Sequence, residues 1–160
     1  MARRDAGDIY SDGQSITALS NVSTNIVDFF DPSHQIAQAV KTPKLHVRVR
    51  QTFTGGGMTI MNIFWQDAPQ AAGSTGPNAT PGTFENTGIT LLAIPVAALF
   101  AGNDLLMVDI PNTGGALGLA QIPYQPDTFS DSPVQRFSRF LYTVDAVPVT
   151  GMIDAWLDTL

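Results

Sequence analysis

The strictest constraint on the fold is a run of residues, 44–53, in which apolar and polar side chains alternate. One face of the run would carry Leu45, Val47, Val49, Gln51 and Phe53, and the other would carry His46, Arg48, Arg50 and Thr52. A period of two is typical of an antiparallel strand with one face in the core and one in solvent. The run therefore predicts a half-buried strand.

The next segment predicts a hairpin. Thr54 is followed by Gly55, Gly56 and Gly57, and glycine supplies the positive φ that a tight turn needs. Residues 58–65 are then rich in Ile, Phe and Trp, as a return strand would be. We expect the strands at 44–53 and 58–65 to pair with each other.

Further strands and one short helix are predicted along the chain. The additional strands fall at residues 15–19, 24–29, 87–94, 105–110, 134–144 and 149–157. Residues 95–102 predict a two-turn helix, because Pro95 suits a helix start and Gly102 suits a helix end. Helix formers are otherwise scarce, with one Glu and two Lys in the chain.

This pattern predicts an all-β protein, a jelly-roll-like β-sandwich of about eight antiparallel strands with long loops and one short helix. Residues 67–86 are rich in Gly and Pro and predict a long loop, and residues 112–131 are similar. We expect a single sandwich domain over residues 13–160 and an N-terminal arm over residues 1–12, which is polar and carries Arg3 and Arg4.

Charge and composition limit the classes of partner that we expect for this chain. Eight Lys and Arg against 14 Asp and Glu give a net charge of −6, which would repel a phosphate backbone. The longest apolar run, residues 89–101, is interrupted by Pro95 and is shorter than the roughly 20 residues of a membrane span. We therefore expect no nucleic-acid partner, no membrane contact and no secretory signal.

Candidate catalytic and metal sites are weak. His34 and His46 lack a second ligand at metal spacing, and the absence of cysteine excludes thiol chemistry and disulfides. A pair of Asp residues could act in glycoside hydrolysis, but nothing in the sequence marks such a pair. Asp127 and Asp131 could form a calcium cage or an ordinary polar turn. We expect no enzyme activity, no cofactor and no metal.

The basic and aromatic residues leave two interpretations open. Arg48, Arg50, Arg136 and Arg139 lie within or beside predicted strands, where they could face solvent or pair with carboxylates across an interface. The two tryptophans, Trp65 and Trp156, could be core residues or interface anchors.

Several segments, in order along the chain, are similar to one known family. Residues 11–17 read Ser-Asp-Gly-Gln-Ser-Ile-Thr, and residues 22–28 read Val-Ser-Thr-Asn-Ile-Val-Asp. Residues 45–49, 63–68, 94–95, 99–102, 110–111 and 139–144 continue the match. With these motifs the chain resembles the Bbp16-like family of tailed-phage capsid proteins. It departs from the family in Arg3-Arg4 and in a longer loop over 67–86.

The resemblance implies a decoration, or cement, protein without catalytic residues. Such proteins bind the outer surface of an icosahedral virion head, usually as homotrimers, and stabilise contacts between major capsid subunits. The expected partners are therefore the major capsid protein and further copies of this chain. The candidate partner-binding residues are Arg3, Arg4, Tyr10, Arg48, Arg50, Arg136 and Arg139.

Two other functions are compatible with the sequence. A non-catalytic carbohydrate- or ligand-binding β-sandwich of a phage tail or fibre would have the same strand-rich composition, although the aromatic residues are not clustered. A small hydrolase built on an Asp pair ranks behind both.

Overall fold

The computed structural model describes residues 9–29, 44–76, 78–109 and 136–158. They form nine strands and one turn of 3-10 helix, Val96–Ala98. The strands are β1 (Ile9–Ser15), β2 (Ser20–Val22), β3 (Val27–Asp28), β4 (Lys44–Thr54), β5 (Ile60–Ala68), β6 (Glu85–Pro95), β7 (Asp104–Asp109), β8 (Phe137–Val144) and β9 (Thr150–Asp158).

The strands form two antiparallel sheets that pack as a sandwich. The first sheet has the order β1-β9-β4-β7, and the second has the order β2-β8-β5-β6, with β3 also paired to β8. Every paired strand runs antiparallel to its neighbour. The prediction of an all-β sandwich is therefore confirmed.

The strand order is that of a jelly roll. Because β2 and β3 both lie beside β8, they act as two pieces of one interrupted strand. Numbered as eight strands, the sheets read 1-8-3-6 and 2-7-4-5. The strand pairs are nested inside one another, in the order 1–8, 2–7, 3–6 and 4–5. The chain therefore forms one long antiparallel hairpin that wraps around a single core.

The prediction of a hairpin over residues 44–65 is wrong, because its two strands do not pair with each other. β4 pairs with β7 and β9 in the first sheet, whereas β5 pairs with β6 and β8 in the second. Gly55, Gly56 and Gly57, all at positive φ, carry the chain from one layer to the other. Side-chain alternation specifies which face of a strand is buried, and it does not specify the neighbouring strand.

The short helix and the first strands also differ from the predictions. Within residues 95–102, helical structure is limited to Val96–Ala98. After it, Leu99 accepts a hydrogen bond from the N–H of Phe53, and Gly102 donates one to Val49. These bonds hold the segment against β4 and end the helix. Residues 9–14, which lie ahead of the predicted strand at 15–19, form most of β1.

The core lies between the sheets and contains large aromatic side chains. Trp65, a candidate core or contact residue, is fully buried and packs edge-on against Phe29 at 6.4 Å. Tyr142 is also fully buried, and this burial raises the pKa of its hydroxyl, which lies 3.0 Å from the Ser11 hydroxyl. Full burial of one such side chain contributes roughly 1.5–3 kcal/mol, so these rings account for much of the packing.

The connection between β5 and β6 is long, as predicted, and folds back on itself. Ala71 donates a backbone hydrogen bond to Thr80 at 2.9 Å, and Gly82 donates one to Pro69 at 2.7 Å. An isolated bridge between Gln70 and Pro81 lies beside these bonds. The described part of the connection therefore has its own internal support.

Candidate interaction surfaces

The outer side of the first sheet carries a row of basic side chains on β4, which we call the Arg48 face. The row consists of Lys44, His46, Arg48 and Arg50. It alternates with the buried Leu45, Val47 and Val49, as the sequence predicted. Carboxylates from the neighbouring strands flank the row, namely Asp12, Asp104, Asp154 and Asp158.

Arg48 forms a bidentate ion pair with Asp104. Its Nε donates to Oδ1 at 2.7 Å and its Nη2 donates to Oδ2 at 3.1 Å. The hydrogen bond, followed by charge attraction, raises the pKa of Arg48, and the bond from Arg48 lowers the pKa of Asp104. Both groups are exposed, so the pair contributes roughly 0.2–1 kcal/mol and weakens in salt.

Arg50 bridges two carboxylates. Its Nη1 lies 2.6 Å from Asp12 and 3.5 Å from Asp154. Gly13 donates its N–H to Asp154 at 2.7 Å, and a Cβ at Gly13 would lie 2.8 Å from the Arg50 guanidinium. Glycine at this position therefore leaves room for the arginine to reach both partners.

Trp156 lies on the Arg48 face but is covered by its neighbours. Its ring stacks on the His46 ring at a centroid distance of 4.9 Å, and Arg48 lies 5.9 Å from the ring centroid. Only 7% of Trp156 is exposed. His46 in turn lies 3.7 Å from Asp158. The indole is therefore largely covered within the chain.

Tyr10, a predicted partner contact, is fully buried. Its hydroxyl lies 2.7 Å from the Ser138 hydroxyl and accepts a hydrogen bond from Trp65 Nε1 at 3.3 Å. Its ring packs edge-on against Phe140 at 5.0 Å. This is a correction of the sequence interpretation: Tyr10 belongs to the core, and residues 9–12 of the predicted arm belong to β1.

Arg136, also a predicted partner contact, is buried and satisfied within the chain. It donates two hydrogen bonds to the Asp28 carboxylate, at 2.9 and 2.8 Å. It also donates to Gln70 Oε1 at 2.6 Å and to the Gly76 carbonyl at 3.0 Å. With 5% of its side chain exposed, Arg136 fastens the β5–β6 connection to β3 rather than offering a surface charge.

Arg139 differs from the other described arginines. Its Nε donates to Gln66 Oε1 at 2.8 Å, and its guanidinium lies 4.1 Å above the Phe84 ring. Partial burial lowers the pKa of Arg139. Within residues 9–29, 44–76, 78–109 and 136–158, no carboxylate lies at ion-pair distance from it.

The outer side of the second sheet is nearly uncharged, and we call it the Leu141 face. Its central row, read across neighbouring strands, is Val22, Leu141, Phe64 and Thr90. The row on one side is Ser20, Thr143 and Asn62, and the row on the other is Arg139, Gln66 and Asn86. These three rows contain one positive charge and no carboxylate.

The sequence did not single out the Leu141 face, because it joins residues from four strands. Alternation within β8 does separate Leu141 from the buried Phe140 and Tyr142. That signal placed Leu141 on a face but did not show which residues of β2, β5 and β6 lie beside it.

Other sequence candidates fall outside the described residues. Arg3 and Arg4 do so, and so do His34 and the possible calcium ligands Asp127 and Asp131. Among the residues that the structure describes, no group of three or more potential metal ligands occurs. The same ranges hold no helix with the length and hydropathy of a membrane span.

Comparison with known proteins adds no family assignment. No family model matches the chain, and no curated protein matches it.

Proposed function

We propose that this chain is a decoration, or cement, protein that binds the outside of an icosahedral phage head and stabilises contacts between major capsid subunits. The observation that carries the proposal is the jelly-roll strand order, because this fold recurs in viral capsid domains. The ordered similarity to tailed-phage capsid proteins points in the same direction.

A protein that clamps a shell gains its effect from binding the assembled state. Any contact made with the assembled head and not with free subunits shifts the equilibrium towards assembly. A homotrimer would engage three sites at once, so modest individual contacts would combine through effective concentration. A rigid sandwich suits this role, because few side chains must be ordered on binding.

The Arg48 face is the surface that we assign to the shell. Charges of both signs alternate across it, with Arg48 and Arg50 exposed beside Asp104 and Asp12. Exposed ion pairs are held weakly and can be exchanged for pairs with another protein. Charge complementarity of this kind favours correct registration and makes association depend on ionic strength.

The test is co-sedimentation of the purified full chain with phage heads that lack it. We expect the chain to pellet with heads at low salt and to be released as salt is raised. The double variant Arg48→Glu/Arg50→Glu should lose binding while its melting curve stays close to that of the parent chain. A chain that remains in the supernatant at every salt concentration would contradict the proposal.

Glycan binding is the second candidate, because lectin domains share the jelly-roll fold. It ranks lower because the aromatic ring of the Arg48 face, Trp156, is stacked against His46 and is 7% exposed, so it is not presented to a sugar. A reproducible signal on a glycan array, together with no binding to heads, would reverse this order.

A further inference from the structure

The two outer faces of the sandwich differ in charge. On the Arg48 face, basic and acidic side chains alternate, whereas the three rows of the Leu141 face contain Arg139 and no carboxylate. The chain as a whole carries a net charge of −6. Like net charge disfavours association of two copies in general, and the three rows of the Leu141 face add no carboxylate to that repulsion.

The centre of the Leu141 face is apolar. Val22, Leu141 and Phe64 are direct neighbours across three strands. Val22 is 44% exposed, and Leu19 and Ile26, beside β2 in the sequence, are 56% and 45% exposed. An apolar centre with polar neighbours is the usual composition of a protein interface.

Arg139 adds a specific requirement to this face. Its guanidinium is partly desolvated, and Gln66 and Phe84 supply its contacts within the described residues. Neither contact neutralises the charge. A carboxylate from a second chain would do so. Because the three rows contain none, it would come from an acidic residue outside the partner's rows, and each copy of this chain has more acidic than basic residues.

The size of the sheet is sufficient for a specific contact. Four strands spaced about 4.8 Å apart and the eight residues of β8, rising about 3.3 Å each, give a surface of roughly 19 by 26 Å. This corresponds to roughly 500 Å² per partner, and a specific interface needs about 1,000 Å² in total.

The sheet edges formed by β6, β1 and β2 are poor alternatives for self-association. β6, the long edge strand of the second sheet, is interrupted by two irregularities against β5, and Ala93 there has a φ of 54°. β1 has two irregularities against β9, and β2 has three residues. Bulged or short edges disfavour strand addition from another chain.

We propose that the Leu141 face is the surface through which copies of this chain bind one another. The proposal rests on the proposed function, since self-association is part of it, and it assigns that association to one side of the sandwich. The Arg48 face would then remain available for the shell, so that the two sheets bind different partners.

The test is the solution mass of the full chain, measured by light scattering after gel filtration over a range of concentrations. The parent chain should have a multiple of 17.1 kDa, and a trimer would have three times this mass, 51.3 kDa. Leu141→Glu should weaken self-association at least about tenfold and return the mass to 17.1 kDa, because it buries an unpaired charge.

Two further variants keep the test decisive. Val22 lies at the exposed edge of the same row, so Val22→Glu should also return the mass to that of one chain. This variant tests the face even if Leu141→Glu fails to fold. Met107→Glu is the matched control, because Met107 is 57% exposed and lies opposite His46 on the Arg48 face. It should keep the parent mass.

Three outcomes would overturn the inference. The first is a parent chain that stays monomeric at every concentration, and the second is a Val22→Glu variant with the parent mass. The third is a variant that loses thermal stability while parent and variant are both monomeric, which would mean that the chain itself covers the face. Head co-sedimentation reports on the proposed function separately, since a monomer that still binds heads would contradict the inference alone.

Discussion

The guanidinium of Arg136 binds both oxygens of the Asp28 carboxylate, although the two residues are 108 positions apart in the chain. The pair joins the start of β8 to β3 at one end of the second sheet. Arg136 also reaches Gln70 and Gly76 in the β5–β6 connection. One buried side chain therefore fixes three segments that are distant in sequence.

Removing the charge of Asp28 should destabilise the fold strongly. Asp28→Asn removes the negative charge that both Nε and Nη2 of the buried Arg136 guanidinium contact, and breaking a buried pair in this way costs about 3–5 kcal/mol. Chemical denaturation of the full chain would measure the change in unfolding free energy. Asp104→Asn, which breaks the exposed pair with Arg48, is the control and should cost less than about 1 kcal/mol. Equal losses would contradict the assigned burial.

Gly56 should tolerate alanine much less well than Gly57. Both have positive φ, 68° and 77°, but a Cβ on Gly56 would overlap the Val147 carbonyl oxygen, whereas the space at Gly57 is open. Gly57→Ala should cost about 1 kcal/mol through its backbone conformation. Gly56→Ala should cost about 1–3 kcal/mol more because the backbone must move. Similar melting temperatures for the two variants would argue against this crossing between the sheets.

Asp145 should make stability depend on pH in the acid range. The hydroxyl of Thr59 and the N–H groups of Thr59 and Ile60 donate to its carboxylate and lower its pKa to about 2. Because the folded-state pKa lies below the usual value of 3.8, this stabilisation is complete above pH 4 and is lost as the pH falls towards 2.

The measurement is the melting temperature of the parent chain and of Asp145→Ala between pH 2 and pH 7. The two curves should be separated by a constant interval at neutral pH and should converge below pH 4. A separation that does not change across this range would show that the ionised carboxylate is not the source of the stabilisation.

Tyr10→Phe should lower stability without affecting oligomeric mass or head binding. The substitution removes a hydroxyl that Ser138 and Trp65 use, and a buried polar group left without its partner costs about 1–3 kcal/mol. Denaturant unfolding and light scattering on the same preparation would measure both properties. If the variant kept its stability but lost head binding, Tyr10 would be a partner contact rather than a core residue.

The strands were predictable where local alternation is strong. Residues 44–53 and 149–157 were predicted as strands, and the structure has Lys44–Thr54 and Thr150–Asp158. Most of β1 was missed because its sequence contains Ser11, Asp12 and Gly13, and because its pairing with β9 is irregular between Ile9 and Gln14. A polar and irregular strand has no clear period to detect.

Pairing and side-chain partners were not predictable, because they depend on residues far apart in the chain. The partners of Arg136 lie 108, 66 and 60 positions away, and those of Tyr10 lie 128 and 55 positions away. The sequence indicated the arginines together as candidate partner-binding residues and did not distinguish one from another. Among the described arginines, the fold buries Arg136, leaves Arg48 and Arg50 exposed beside carboxylates, and places Arg139 against Gln66 and Phe84.

The nested strand order also determines the sequence of events in folding. β5 and β6 are consecutive strands in the chain and can pair early, whereas β1 must wait for β9, which is made more than a hundred residues later. Closing such long loops is entropically costly and slows folding. During synthesis, β1 and β4 remain without the strand that lies between them until β9 has emerged. The first sheet is therefore completed after translation of β9. Until then β1 has no neighbouring strand in its sheet, and β4, which can pair with β7, has one open edge.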